Sequence, residues 1–206
     1  MTGNKETPSQ TVGPYVHIGM ATDVAGLGKV YARPLADAIA GPKAAGTRIR
    51  VTGRIFDGLD EPVRDAVLEV WQADARGIYN SPGDPRHAER DPQVCGWGRV
   101  SCDLKTGVYA FDTIKPGAVP GPRGSMMAPH LNLWILARGI NIGLSTRVYF
   151  PEDETARAAD PILSRIEHAK RRATLIASAD GKEGQVALYR FDIRLQGEDE
   201  TVFFDA

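Results

Sequence analysis

Cysteine is scarce in this chain. Cys95 and Cys102 are the only two in 206 residues, and their spacing is neither Cys-x-x-Cys nor that of a zinc site. A disulfide framework or a zinc module is therefore without support, and the expectation is two free thiols, buried or half-buried. Neither sign of charge is in excess: 25 basic and 26 acidic residues give a net of -1. That balance removes the electrostatic reason to expect nucleic acid or an anionic membrane as a partner. No apolar run approaches the roughly 18 residues of a membrane-spanning helix. The first nine residues, Met1 to Ser9, are polar and lack the apolar stretch of a signal peptide, so a cytoplasmic location is expected. The glycine-rich phosphate loops and the Gly-x-Ser-x-Gly elbow are both missing.

What remains suits a globular chain. At 42% hydrophobic it can bury a substantial core. Its length predicts one domain over 1–206, with an N-terminal arm over 1–20. Glycine (22) and proline (14) punctuate short runs, most of which read as strands. Arg48 to Phe56 is rich in Ile, Val and Thr. Ala66 to Gln72 puts Val67, Glu69 and Trp71 on one face. Val108 to Thr113, Leu131 to Ala137 and Thr146 to Phe150 are further strands. Leu188 to Leu195 alternates Tyr189, Phe191, Ile193 and Leu195 with charged residues, which is period two with one wet face. Helical pattern is confined to Pro161–Ile176 and a short piece at Pro34–Ile39. Gly77 to Gly96 is a long polar loop with three prolines. The expected fold class is an all-β sandwich with short helices and long loops.

Chemistry is sparse. On a strand, residues two apart point to the same face. His130 and Asn132 would thus offer one imidazole and one amide to the same space. Tyr79 is a plausible further ligand, which brings the count to two good donors where a catalytic metal needs three or more. The alternative is that His130 is a hydrogen-bonded interior histidine. His17 lies in a strand-like segment, His87 in the long loop and His168 on the expected helix; each reads as a surface or satisfied residue. Lys170-Arg171-Arg172 reads as a solvated helix face. Glu69 and Asp74 flank Trp71 and allow, without favouring, paired-carboxylate chemistry. The stretch Thr7 to Tyr15 carries two prolines and a glycine, which fix its shape without regular structure. It either lines a pocket or straps down an arm.

Six segments carry a family resemblance over nearly the whole chain, Thr7 to Asp205. They are TPSQTVGPYVHIG (Thr7 to Gly19), LEVWQADARGIY (Leu68 to Tyr79), TIKPG (Thr113 to Gly117), MAPHLNLWILARGIN (Met127 to Asn141), RVYFPED (Arg147 to Asp153) and YRFDIRLQGEDETVFFD (Tyr189 to Asp205). The chain resembles the intradiol ring-cleaving dioxygenases. The first and fourth segments resemble the alpha chains of that family's two-chain, protocatechuate-cleaving branch.

The resemblance implies a β-sandwich with helical and loop extensions. It implies chemistry at a ferric iron, Fe(III), held by two tyrosinates and two histidines. There a catechol binds as a dianion, reacts with O2, and is cleaved between its hydroxyl-bearing carbons. Protocatechuate would give 3-carboxy-cis,cis-muconate. Position by position, Tyr79 matches the first tyrosine and His130 the first histidine. Val119 falls at the second tyrosine and Asn132 at the second histidine. The implied arrangement is a degenerate site here and an iron held by a partner beta chain. Thr11, Gly13, Pro14, Tyr15 and Arg138 of this chain would line that partner's pocket. Two other readings are a self-sufficient intradiol enzyme with altered ligands and a non-catalytic structural subunit.

Overall fold

The computed structural model describes residues 13, 15–27, 30 and 39–205. In chain order the described strands are β1 (Arg48–Phe56), β2 (Val67–Trp71), β3 (Trp97–Ser101), β4 (Val108–Ile114), β5 (Val119–Pro120), β6 (Met126–Met127), β7 (His130–Leu136), β8 (Leu144–Tyr149), β9 (Ser178–Glu183), β10 (Val186–Arg190) and β11 (Ile193–Arg194). Three five-residue helices join them: α1 (Val16–Met20), α2 (Glu154–Ala158) and α3 (Ala169–Ala173). Among the described residues, no helix is long and apolar enough to cross a membrane.

Two sheets form the body. In the first, β1 is central: β4 pairs with it antiparallel, and β10 and β11 run parallel along its other side. The second has the order β3-β2-β7-β8, all antiparallel. Alternation decides which face is buried. Ile49, Val51 and Ile55 of β1 pack with Leu68 and Val70 of β2 and with Leu131, Leu133 and Ile135 of β7 in one core. This is the expected all-β sandwich. The long loop over 77–96 carries only a short 3-10 turn, His87–Glu89. Both cysteines are free; Cys102 is buried and Cys95 half-buried.

Four local expectations need correction. The strand over Leu188–Leu195 is two strands, because the chain steps out of the ladder at Phe191 and Asp192. There the Asp192 carboxylate accepts the Arg54 N–H at 3.0 Å in place of a backbone partner. The alternation survives, with Tyr189, Phe191 and Ile193 all buried. The helix over Pro161–Ile176 is a 3-10 turn (Leu163–Arg165), an extended residue at Ile166, and α3. Buried Asp160 accepts the N–H groups of Ile162 and Leu163 and so caps the start of the first turn, which ends where Ile166 turns extended. Arg172 then donates to the carbonyls of Ile166 and Glu167, which satisfies the break.

Nor is Lys170-Arg171-Arg172 a free solvated face. Lys170 pairs with Glu198 and Asp199, and Arg171 with Glu200, which fastens the C-terminal segment. His17, expected in a strand-like segment, belongs to α1. His168 is exposed at the N-cap of α3. Apart from Ile39, which is buried, the short helix expected over Pro34–Ile39 lies outside the described residues.

Candidate functional site

The site is built on the solvent-side face of the second sheet. Antiparallel register sets Trp97, Trp71, Asn132 and Arg147 opposite one another on β3, β2, β7 and β8. Residues directly opposed share a face, so this rung is a row of four neighbouring side chains. The next rung holds His130 opposite Tyr149, with their rings 5.5 Å apart.

Tyr79 reaches this rung from the loop after β2. The Asp74 carboxylate accepts N–H groups from Arg76, Ile78 and Asp91, which folds the chain into a tight turn. Gly77 sits in that turn at φ 75°. A Cβ there would overlap the Ala118 carbonyl oxygen, so only glycine fits. The turn lays the Tyr79 ring on Trp71, with centroids 5.8 Å apart and planes 6° from parallel. Burial raises the Tyr79 phenol above its ordinary 10; the Asn132 hydrogen bond and the Arg147 charge oppose that rise without cancelling it. A cavity of about 350 Å³ opens beside Trp71 and Tyr79, lined also by Asp84, Pro85 and Pro120.

His130 is almost fully buried. Its Nδ1 lies 2.7 Å from the Ala128 carbonyl oxygen, and only a protonated Nδ1 can donate to it. Nε2 is then a bare lone pair, buried and without a hydrogen-bond partner. Burial, reinforced by the Arg147 charge, lowers the imidazole to about 4. His130 is therefore neutral at physiological pH.

The other two ligand positions cannot follow suit. Val119 is buried in a two-residue ladder against Met127. Asn132 directs its Nδ2 toward the Trp71 carbonyl oxygen at 3.4 Å. Arg147 brings a permanent positive charge to the same rung. Two donors, His130 and Tyr79, beside a valine, an amide and a guanidinium do not make up the four-ligand set that the resemblance implies for ferric iron. Among the described residues, no three His, Cys, Asp or Glu side chains group as metal ligands.

The carboxylates near Trp71 are committed elsewhere. Glu69 pairs with Arg99 at 2.6 Å and Asp74 holds the loop, so neither is placed for acid-base work. Arg99 also donates to the Met20 carbonyl and so ties α1 over the middle of this face.

Of the pocket residues predicted from the sequence, Arg138 lies apart from this site. Arg138 follows β7, eight residues beyond His130, or about 26 Å along an extended strand. It pairs with Asp65 at 3.1 Å and borders an open groove of about 990 Å³ with Leu104, Gly139 and Ile142. Tyr15 precedes α1 and is 72% exposed. Gly13 has φ 70°. Thr11 and Pro14 lie outside the described residues. Sequence reasoning assigned no role to Arg147 or Tyr149. Both stand in the RVYFPED segment, but only cross-strand register reveals what they face.

The profile of the family described as Dioxygenase matches residues 31–197. The chain is 46% identical to the protocatechuate 3,4-dioxygenase alpha chain of Pseudomonas putida, over 97% of this chain and 96% of that one. It is 39% identical to the corresponding beta chain of Burkholderia cepacia, over 80% of this chain and 71% of that one. The solved structure of catechol 1,2-dioxygenase from Acinetobacter sp. ADP1 shares the fold, with a TM-score of 0.58 at 20% identity, over 87% of this chain and 68% of that one.

Proposed function

The chain belongs to the dioxygenase family, and from that premise we propose that it is the alpha subunit of a protocatechuate 3,4-dioxygenase. With a beta subunit it would form an enzyme that cleaves protocatechuate with O2 to 3-carboxy-cis,cis-muconate. The ferric iron would belong to the partner. Near full-length identity to an alpha chain supports this reading. The observation that carries it is the pair Val119 and Asn132 at two of the four ligand positions, with Arg147 beside them.

When bound in the partner, the iron would supply the oxidising centre at which catechol and O2 meet. This chain's part is to shape the pocket. Thr11, Gly13, Pro14 and Tyr15 of the arm, with Arg138, would line it, within one domain spanning 1–206. Exposed Tyr15, and the groove beside Arg138 with exposed Ile142, are surfaces that a partner can cover. Arg138 suits an acidic aromatic, because a guanidinium pairs with a carboxylate through two parallel hydrogen bonds. Such an assembly would work in the cytoplasm.

The test is to purify this chain alone and with a co-expressed beta chain. Iron content, visible colour and O2 uptake with protocatechuate are then measured. The expected result is iron and activity in the pair only. Iron-dependent activity from the chain alone would sink the proposal in favour of a self-sufficient enzyme. An inactive, iron-free pair would leave a structural subunit.

A further inference from the structure

We infer that Arg147 takes the place of a metal's charge in this chain's own site and shuts metal out of it, beyond what the loss of two ligands accounts for. This rests on the reading that Tyr79, Val119, His130 and Asn132 descend from an iron site.

Arg147 faces one of the four positions directly and touches the immediate neighbours of two others. It stands directly opposite Asn132 on the adjacent strand. Its Nη1 lies 3.4 Å from the sulfur of Met127, the register partner of Val119. The same nitrogen lies 3.4 Å from the hydroxyl of Tyr149, whose ring packs against His130. Its charge acts on the Tyr79 phenol as well. The guanidinium also lies over the Phe204 ring, 5.7 Å from the centroid.

These partners are neutral. Among the described residues, no carboxylate lies within ion-pair distance of Arg147, whereas eight other described arginines have one. A fixed cation thus stands opposite an amide and against a phenol hydroxyl, one rung from a buried imidazole whose Nε2 is unpartnered. Such donors surround a positive centre. Arginine stays protonated at any working pH, so its charge cannot be shed to admit a ferric ion. Two positive centres within a few ångströms in a half-buried site repel strongly.

The experiment uses the alpha–beta complex. Four alpha chains are co-expressed with the beta chain: wild type, Val119→Tyr/Asn132→His, and that double variant carrying either Arg147→Gln or Arg147→Lys. Iron per alpha–beta pair and the absorbance of iron-bound tyrosinate are measured. The expected values are one iron per pair for wild type, one for the double variant, two for the Gln triple variant and one for the Lys triple variant. Tyrosinate absorbance should rise about twofold in the Gln variant alone. A double variant that already holds two irons overturns the inference. So does a Gln variant that assembles with one iron, or a Lys variant that gains iron as well as Gln does. Arg147→Met replaces Arg147→Gln if the latter fails to assemble. A wild-type pair with two irons, or none, would instead contradict the subunit assignment.

Discussion

Arg138 and Asp65 meet at 3.1 Å two residues beyond the end of the β2–β7 ladder. The ladder ends where Val67 pairs with Leu136, and the ion pair fastens the turn that follows β7 to the residues that lead into β2. At 65% side-chain exposure, the ion pair contributes only about 0–1 kcal/mol to stability. Its value is in position. Arg138→Ala in the alpha–beta complex should lower kcat/KM for protocatechuate by about 10–100-fold, the size of a lost charged hydrogen bond. Iron content and melting temperature should stay unchanged. Steady-state kinetics beside metal analysis checks this, and normal kinetics would remove Arg138 from the pocket.

Gly77→Ala should be among the most damaging single-methyl changes in the chain. The φ of 75° disfavours a side chain, and the new Cβ would collide with the Ala118 carbonyl, part of the backbone against which the loop is folded. Backbone strain and overpacking together should cost about 3 kcal/mol or more. Tyr79 should lose its stack on Trp71. Thermal unfolding reads the first effect and near-ultraviolet circular dichroism the second; a variant that matches wild type in both would contradict the packing described.

Most strands with one buried face were legible because alternation survives in the letters, although β3 alternates as well and was passed over. β1, β2, β4, β7 and β8 all announce themselves this way. β9 did not, since all six of its residues are exposed and it is held only by its hairpin with β10. The expected long helix failed for a different reason. Its apolar spacing was sound, but the backbone turns extended at Ile166, and Arg172 takes up the carbonyls of Ile166 and Glu167 that the break leaves free. At the site, Tyr79 and His130 were readable from short motifs. Arg147 was not, because a residue fifteen positions from Asn132 becomes its neighbour only once β7 and β8 pair.

The two thiols should behave differently. Burial pushes the Cys102 thiol up to about 12, with the nearby Asp65 charge adding to it. Only a thiolate attacks a disulfide reagent, so Cys102 should be inert in the native protein at pH 8. Titration with an aromatic disulfide should therefore detect at most one thiol before denaturation and two after it. The Cys102→Ser variant should leave the native count unchanged. Two fast native thiols would show that the core around Cys102 opens readily.

His130 should make the protein acid-sensitive. Its imidazole is lowered from 6.5 to about 4 in the fold, chiefly by burial and then by the Arg147 charge. The unfolded chain therefore takes up this proton at a higher pH than the folded one. Stability linked to the group is fully present above about pH 6.5 and falls as pH drops through the window to about 4. A shift of that size corresponds to about 3 kcal/mol across the window. His130→Asn removes the titration. The variant should be less stable at pH 7.5, because the ring packing on Tyr149 and the bond to the Ala128 carbonyl are lost. Its stability should fall less steeply between pH 6.5 and 4, so the two curves converge toward acid. Urea unfolding of the alpha–beta complex at intervals of half a pH unit measures both slopes. Curves that stay parallel through the window would mean that His130 is not the group whose protonation opposes folding.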